Sequence, residues 1–339
     1  MKKVMTAAGI ALSALLLWLA VKDTDFGEIS ASFRDANALL AVPLLFGLAS
    51  FYVLKAVRWS DILAPTSRIR VRDLIPSMMS GAAGNNLLPA HMGELVRTYL
   101  LGREYRLSKV GILATLVAER IFDIVGVLLL LSSTILFAEP STGLRSAVVF
   151  LLIVAFAGSI FMYLMVRHAD ALLKALLEGS GRFLPAIRRK AGALVLHITS
   201  GFGAVREGRL LFRILASSIV LWLLMSACIY CALRAIGIDV PYHAAIVVLA
   251  IIVAGLTLPT SPGFVGTIQY CFVLGLGSFG VEPGKALAAS LFYHALLWFS
   301  VTGTGLYFLY RQRLTFADIR DLERQEALQG ERELSEERR

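Results

Sequence analysis

Glu119, Arg120 and Asp123 stand inside an otherwise apolar run that covers residues 110–137. At membrane depth an ionised side chain costs about 2.5–3.5 kcal/mol on insertion scales, so such groups face a cavity or a partner. With about 1.5 Å of rise per residue, Glu119 lies about 14 Å into the run. On a helix, Arg120 and Asp123 are three residues apart and can pair on one face, while Glu119 and Asp123, four apart, share a face. Two acids against one base leave surplus negative charge, so one acid is protonated or another cation comes near. Arg97 is the candidate cation. The guanidinium forks of Arg97 and Arg120 suit a phosphate. Glu119, Asp123 and Glu94 suit a cationic headgroup or carriage of a proton. The same groups would also serve as an ion-pair network that pins one helix to its neighbour, and the two roles are compatible.

Two apolar stretches, 74–93 and 244–277, are interrupted by Gly and Pro. Leu88-Pro89-x-x-x-Gly93 in the first reappears as Leu258-Pro259-x-x-x-Gly263 in the second, with a glycine upstream in each, Gly84 and Gly255. Paired Gly/Pro-broken segments point to an inverted repeat around a site near the midplane. Gly84, Pro89, Gly93, Pro259, Pro262 and Gly263 are therefore the candidate gating positions. Unwound backbone at membrane depth must lie in protein or against a water-filled cavity. Asn85 and Asn86 would either complete that backbone's hydrogen bonds or contact substrate oxygens. Thr257, Thr260, Ser261 and Gln269 are their polar counterparts in the second stretch. His91, a lone histidine, is a weaker signal.

The elements that must hold these residues follow from composition. The chain has 339 residues, 57% hydrophobic and 17% charged, with a mean hydropathy of +0.73. Soluble chains average about 25% charged residues, so most of this chain belongs in lipid. Runs 4–21, 38–54, 110–137, 147–166, 214–235 and 286–310 meet the roughly 17–25 residues of a membrane span. The expected fold is an all-α polytopic membrane protein with six full spans. The two broken stretches add re-entrant or tightly paired segments. Apart from Lys22, Arg34, Arg145, Arg234, Lys285 and the intramembrane Arg120, the basic residues all fall on one side of this arrangement. That asymmetry puts both termini in the cytoplasm. It also makes 74–93 enter and leave by the cytoplasmic face, and 244–277 by the opposite one.

Residues 1–312 read as one membrane domain and 313–339 as a charged cytoplasmic tail with a helix cap at Thr315-x-x-Asp318. Within the domain, 167–213 is basic and partly amphipathic, as expected of an interfacial helix on an anionic leaflet. The net charge of +9 thus reflects topology, not nucleic acid. Residues 4–21 are too long, and too bulky near the cleavage position, for a signal peptide and read as an uncleaved anchor. Cys228 and Cys231 lie in an apolar run with no second ligand pair, so they read as packing residues and not as a metal site. Nucleotide-binding, zinc-protease and serine-hydrolase signatures do not occur in the sequence, and no cofactor is expected.

Three motifs carry a resemblance. They are Gly84-Asn85-Asn86-Leu87-Leu88-Pro89-Ala90-His91-Met92-Gly93-Glu94-Leu95-Val96-Arg97, Glu119-Arg120-Ile121-Phe122-Asp123, and Pro259-Thr260-Ser261-Pro262-Gly263-Phe264-Val265-Gly266. With them the chain resembles the flippase-like membrane domain of lysylphosphatidylglycerol synthases, across nearly its whole length. In two-domain members that part is taken to move aminoacylated phospholipid between leaflets, and a cytosolic domain makes the lipid. The chain is expected to be a stand-alone member without synthase activity. Some members carry Arg at the position of His91 and an acid at that of Gln269, so the resemblance does not carry over a substrate charge. It implies translocation of a phospholipid or lipid-linked substrate across a bacterial or archaeal cytoplasmic membrane. Substrate-binding residues would be Asn85, Asn86, Glu94, Arg97, Glu119, Arg120, Asp123, Ser261 and Gln269. The alternatives are a non-transporting membrane partner of a glycosyltransferase or lipid-modifying enzyme, or a membrane-embedded transferase using Glu119 or Asp123.

Overall fold

The computed structural model describes residues 2–88, 92–137, 203, 207–256, 260–315 and 317–318. Among them the regular structure is all helical. The helices are α1 (Lys2–Val21), α2 (Phe26–Arg34), α3 (Ala41–Leu63), α4 (Val71–Leu87), α5 (Gly93–Tyr105), α6 (Lys109–Phe137), α7 (Gly208–Ala235), α8 (Tyr242–Gly255), α9 (Thr267–Gly277) and α10 (Pro283–Arg311). Single 3₁₀ turns lie at Ala38–Leu40 and Pro262–Phe264. Among the described residues, three helical stretches are long and apolar enough to cross a membrane: Ala38–Leu63, Gly208–Ala235 and Pro283–Arg311. Helix α6 has the length, 29 residues, but carries Glu119, Arg120 and Asp123. The expected span 147–166 and most of the expected interfacial segment 167–213 lie outside the described residues.

One boundary differs from the sequence reading. The expected second span stops at residue 54, where basic residues begin, but α3 runs on to Leu63. Lys55 and Arg58 do not end the helix because each meets a carboxylate on α6. Arg58 and Trp59 are wholly buried.

The first broken stretch is a helical hairpin, α4 and α5. Leu88 is extended, with φ −106° and ψ 146°, and its N–H donates to the Gly84 carbonyl at 2.8 Å. The Asn85 side chain then accepts the N–H of Gly93, the first residue of α5, at 2.8 Å. Small residues let the two helices touch. A Cβ on Gly81 would lie 2.7 Å from the Gly93 carbonyl oxygen, and one on Gly84 2.9 Å from the Gly93 Cα. The hairpin extends through Tyr105, so Arg97 and Arg103 are part of it and not of a following loop. Pro89 and His91 lie outside the described residues.

The second broken stretch has the same plan in α8 and α9. At 14 and 11 residues, each is about 16–21 Å long, short of the roughly 30 Å hydrocarbon core. Between them Gly263 and Gly266 have φ of 72° and 86°, a backbone that glycine adopts without strain. Thr257 and Pro259 lie outside the described residues. The turn presses on the first hairpin: a Cβ on Gly263 would lie 3.2 Å from the Asn86 carbonyl oxygen and 2.9 Å from Trp298 Nε1. Helix α1 closes over the turn, where Ser13 Oγ accepts the Ser261 N–H at 2.7 Å. Helix α10 crosses the other side, with Thr302 accepting a hydrogen bond from the Asn86 amide at 2.9 Å.

The apolar core forms two main clusters. One joins the N-terminal half of α3 to α7, α8, α9 and α10. The other joins the C-terminal half of α3 to α4, α6 and the start of α7. Cys228 is buried in the first and its thiol donates to the Leu44 carbonyl. At the other end of the chain, Thr315 and Asp318 form a reciprocal cap: the Thr315 N–H donates to the Asp318 carboxylate and the Asp318 N–H to Thr315 Oγ1.

Outside the spans, α2 meets the start of α10 through two carboxyls. Glu28 is raised above the usual carboxyl range by its hydrogen bond with Glu282 and by burial, while Glu282 is lowered by that bond and by Lys285. One proton held between the two carboxyls would account for the opposite shifts. Glu28's contribution is present below the ordinary carboxyl pKa and lost as pH rises through its raised value; Glu282's is present above the ordinary value and lost as pH falls through its lowered one. The contact is therefore strongest in the window between. Hydrogen-exchange protection of α2 amides should fall on the alkaline side of that window. In Glu28→Gln, whose amide donates at every pH, the alkaline loss should vanish; the same loss in both proteins would refute the shared proton.

Candidate functional site

The α6 charges sit where three helices converge. Glu119 and Asp123, a helical turn apart, face inward and are 4% and 5% exposed. Arg97 on α5 donates to both Glu119 oxygens, at 2.9 and 3.4 Å. Its guanidinium lies 3.5 Å over the Trp59 ring, and the Trp59 indole N–H donates to Thr115 at 3.1 Å. Lys55 Nζ reaches Glu119 at 3.0 Å. Arg58 donates to Asp123 at 2.7 Å and to Ser218 on α7 at 2.9 Å. The cluster ties α3, α5, α6 and α7 together.

Two expectations are corrected here. Asp123 pairs with Arg58, not with Arg120. Arg120 emerges on another face and bonds Glu94 on α5, at 2.6 and 3.2 Å. A helix turns by about 100° per residue, so residue 120 leaves the inward face that 119 and 123 share. The charge balance also differs. Arg97 comes to Glu119 as the sequence suggested, but Lys55 and Arg58 join it around Glu119 and Asp123, leaving one surplus positive charge. The Nε atoms of Arg58 and Arg97 are buried without a hydrogen-bond partner, which is unusual for a native interior.

The cluster has a closed part and an open part. Arg58 is sealed, and Arg97 is 8% exposed. The Arg120 and Glu94 side chains are 56% and 36% exposed. Lys55 lies between, at 17%.

The remaining sequence candidates serve the breaks. Asn85 holds the start of α5, and Asn86 holds α4 to α10. Ser261 is held by α1. Gln269 accepts the Gly266 N–H at 2.7 Å and meets His294 Nδ1 at 3.0 Å. Because its oxygen is engaged by Gly266, its amide donates to Nδ1, and neutral His294 carries its proton on Nε2. Ser261 and Gln269 thus share the second break, while Arg97, Glu119 and Asp123 share the ion cluster.

Sequence reasoning missed Lys55, Arg58, Trp59, Ser13, Ser218 and His294 as members of these networks. For Lys55 and Arg58 a signal existed: they are three apart and are followed by Ile62 and Leu63, so a continued helix places both on one side. For Ser13, Ser218 and His294 no local signal exists.

A sequence profile of the lysylphosphatidylglycerol synthase TM region matches residues 6–305. A protein described as UPF0104 membrane protein, from Methanothermobacter thermautotrophicus, is 25% identical over 317 residues, covering 88% of this chain and 91% of that protein. A protein named glycosyltransferase AglD, from Haloferax volcanii, is 24% identical over 330 residues. That match covers 87% of this chain but 52% of the relative, so the chain spans about half of that protein's length.

Proposed function

Since the chain belongs to the lysylphosphatidylglycerol synthase TM-region family, we propose that it moves a phospholipid or lipid-linked substrate between the leaflets of a cytoplasmic membrane. Residues 1–312 would form the translocating domain, with both termini in the cytoplasm and the two broken hairpins entering from opposite faces. The observation that carries this reading is the meeting of the two breaks, Gly263 against the Asn86 carbonyl, beside a buried cluster with surplus positive charge. Half-length helices that meet at a break are how membrane transporters place a polar site at depth.

In this reading Arg58, Asp123 and Ser218 are the fixed frame. Glu94 and Arg120 are the accessible face that first meets a headgroup. Asn85, Asn86, Ser261 and Gln269 hold the two breaks at the angle that keeps the path shut. Movement of α4 and α5 as a unit would carry Arg97 and expose Glu119 to substrate.

The test is a leaflet-sidedness assay with labelled lipids in proteoliposomes. Arg120→Ala and Glu94→Gln, both at exposed positions, should reduce the flip rate by about tenfold, or ~1.4 kcal/mol of barrier. Wild-type rates in both variants would refute the site, and wild-type protein no faster than empty liposomes would refute the function.

A second reading has its own support. The Haloferax relative named as a glycosyltransferase is about twice the length of the matched region. The chain would then be a non-catalytic membrane partner of a lipid- or glycan-modifying enzyme, docking through its basic segment. Co-purification of a glycosyltransferase, together with absence of flipping by the isolated chain, would favour it.

A further inference from the structure

We propose that a lateral groove between α3, α4 and α10 holds one acyl chain of an anionic phospholipid, with Lys55 taking the phosphate. The groove has a volume of about 210 Å³ and is lined by Leu45, Ala49 and Tyr52 of α3, Met79 of α4, and Val301 and Thr304 of α10, among others. Apolar cavities of about 150 Å³ hold a benzene ring, so this one has room for a segment of a single hydrocarbon chain. Its chemistry agrees. The Thr304 hydroxyl is spent on the Ser300 carbonyl of its own helix, at 2.7 Å, and apart from Tyr52 and Ser300 the remaining lining side chains are apolar. Leu45 and Val53 at the mouth are 37% and 50% exposed, so the groove opens sideways toward the bilayer.

Charge fixes the other end of the ligand. Along α3 the lining residues Leu45, Ala49 and Tyr52 form one stripe, and Lys55 stands one turn further on. Lys55 is the most exposed of the three cations in the buried cluster. Its partner, Glu119, already receives both arms of the Arg97 fork. Lys55 can therefore turn to a phosphate without stranding a carboxylate, and its positive charge is the one the cluster holds in surplus. In the topology proposed above, α3 runs inward, so Lys55 lies on the cytoplasmic side of the groove. A lipid of the cytoplasmic leaflet fits this polarity, with its phosphate drawn in at Lys55 and its tail toward the opposite face.

The choice of a translocated lipid as ligand rests on the function proposed above, but binding is read without transport, so the two fail separately. A protein that labels as described yet moves no lipid sinks the transport reading alone. The full chain is placed in phosphatidylcholine nanodiscs carrying phosphatidylglycerol with a diazirine in one acyl chain, irradiated and mapped by peptide mass spectrometry. Label is expected on the segments around 45–53 and 300–304. Ala49→Trp, at an exposed position, should lower it by about tenfold while labelling elsewhere is unchanged. A phosphatidylcholine probe should label the wild-type groove less than the phosphatidylglycerol probe, and Lys55→Gln should remove that difference. Equal labelling of wild type and Ala49→Trp would overturn the groove. Equal labelling of wild type by the two probes would overturn the phosphate contact, even if Lys55→Gln fails to fold. Displacement by an isoprenoid phosphate at lower concentration than by phosphatidylglycerol would overturn the choice of occupant.

Discussion

Glu119→Ala should destabilise the bundle by about 3–5 kcal/mol, the cost of breaking a buried ion pair by deleting one partner. Arg97 and Lys55 lose their carboxylate, and Arg58, whose guanidinium also lies 3.7 Å from Glu119, keeps only Asp123. The buried Arg58 and Arg97 and the partly exposed Lys55 then face one acid. Arg120→Ala, a few ångströms along the same helix, should cost less than about 1 kcal/mol, because its bond to Glu94 is exposed and exposed pairs contribute little. Denaturant titration in micelles, followed by Trp fluorescence, compares the two. Replacing the whole of the Arg58–Asp123 pair, as Arg58→Met with Asp123→Leu, should recover most of what Arg58→Met alone loses, since it is the stranded charge that costs. Similar losses for Glu119→Ala and Arg120→Ala would show that the cluster is not the anchor described here.

Gly93→Ala should prevent the first hairpin from closing. The added methyl would overlap the Gly81 carbonyl oxygen and lie 2.5 Å from Asn85 Oδ1. Both are fixed: the first is backbone in α4, and the second accepts the Gly93 N–H. Overpacking of a closed interior costs about 1–3 kcal/mol when the surroundings can shift; here the strain must move a helix, so the cost should lie at or above the top of that range. Separation of α4 from α5 also withdraws Arg97 from Glu119, so folding yield and any flip activity should fall together. Gly208→Ala, where nothing among the described residues lies within 4 Å of the added methyl, is the matched control and should be silent. A stable, fully active Gly93→Ala protein would mean that the two helices do not approach as closely as described.

Whatever depends on neighbours along the chain was legible in the order of residues. Apolar runs and their length specify membrane helices. Gly and Pro at 84–93 and 255–263 specify the breaks, because they act on the backbone of their own residues. The spacing of Glu119 and Asp123 places both on one face, because helical periodicity is local. The family followed from short motifs of the same kind. Which charges meet was settled by packing. Asp123 has Arg120 three residues away, yet bonds Arg58 from a different helix. Near neighbours on a helix surface are worth a few tenths of a kcal/mol, whereas a buried carboxylate without a cation costs several. The greater of these two energies selects the partner, and it exists only after α3 and α6 have packed. The same holds for the extension of α3 past Lys55, the surplus positive charge of the cluster, and the contact of Gly263 with Asn86. Each depends on the position of a second helix that no local pattern contains.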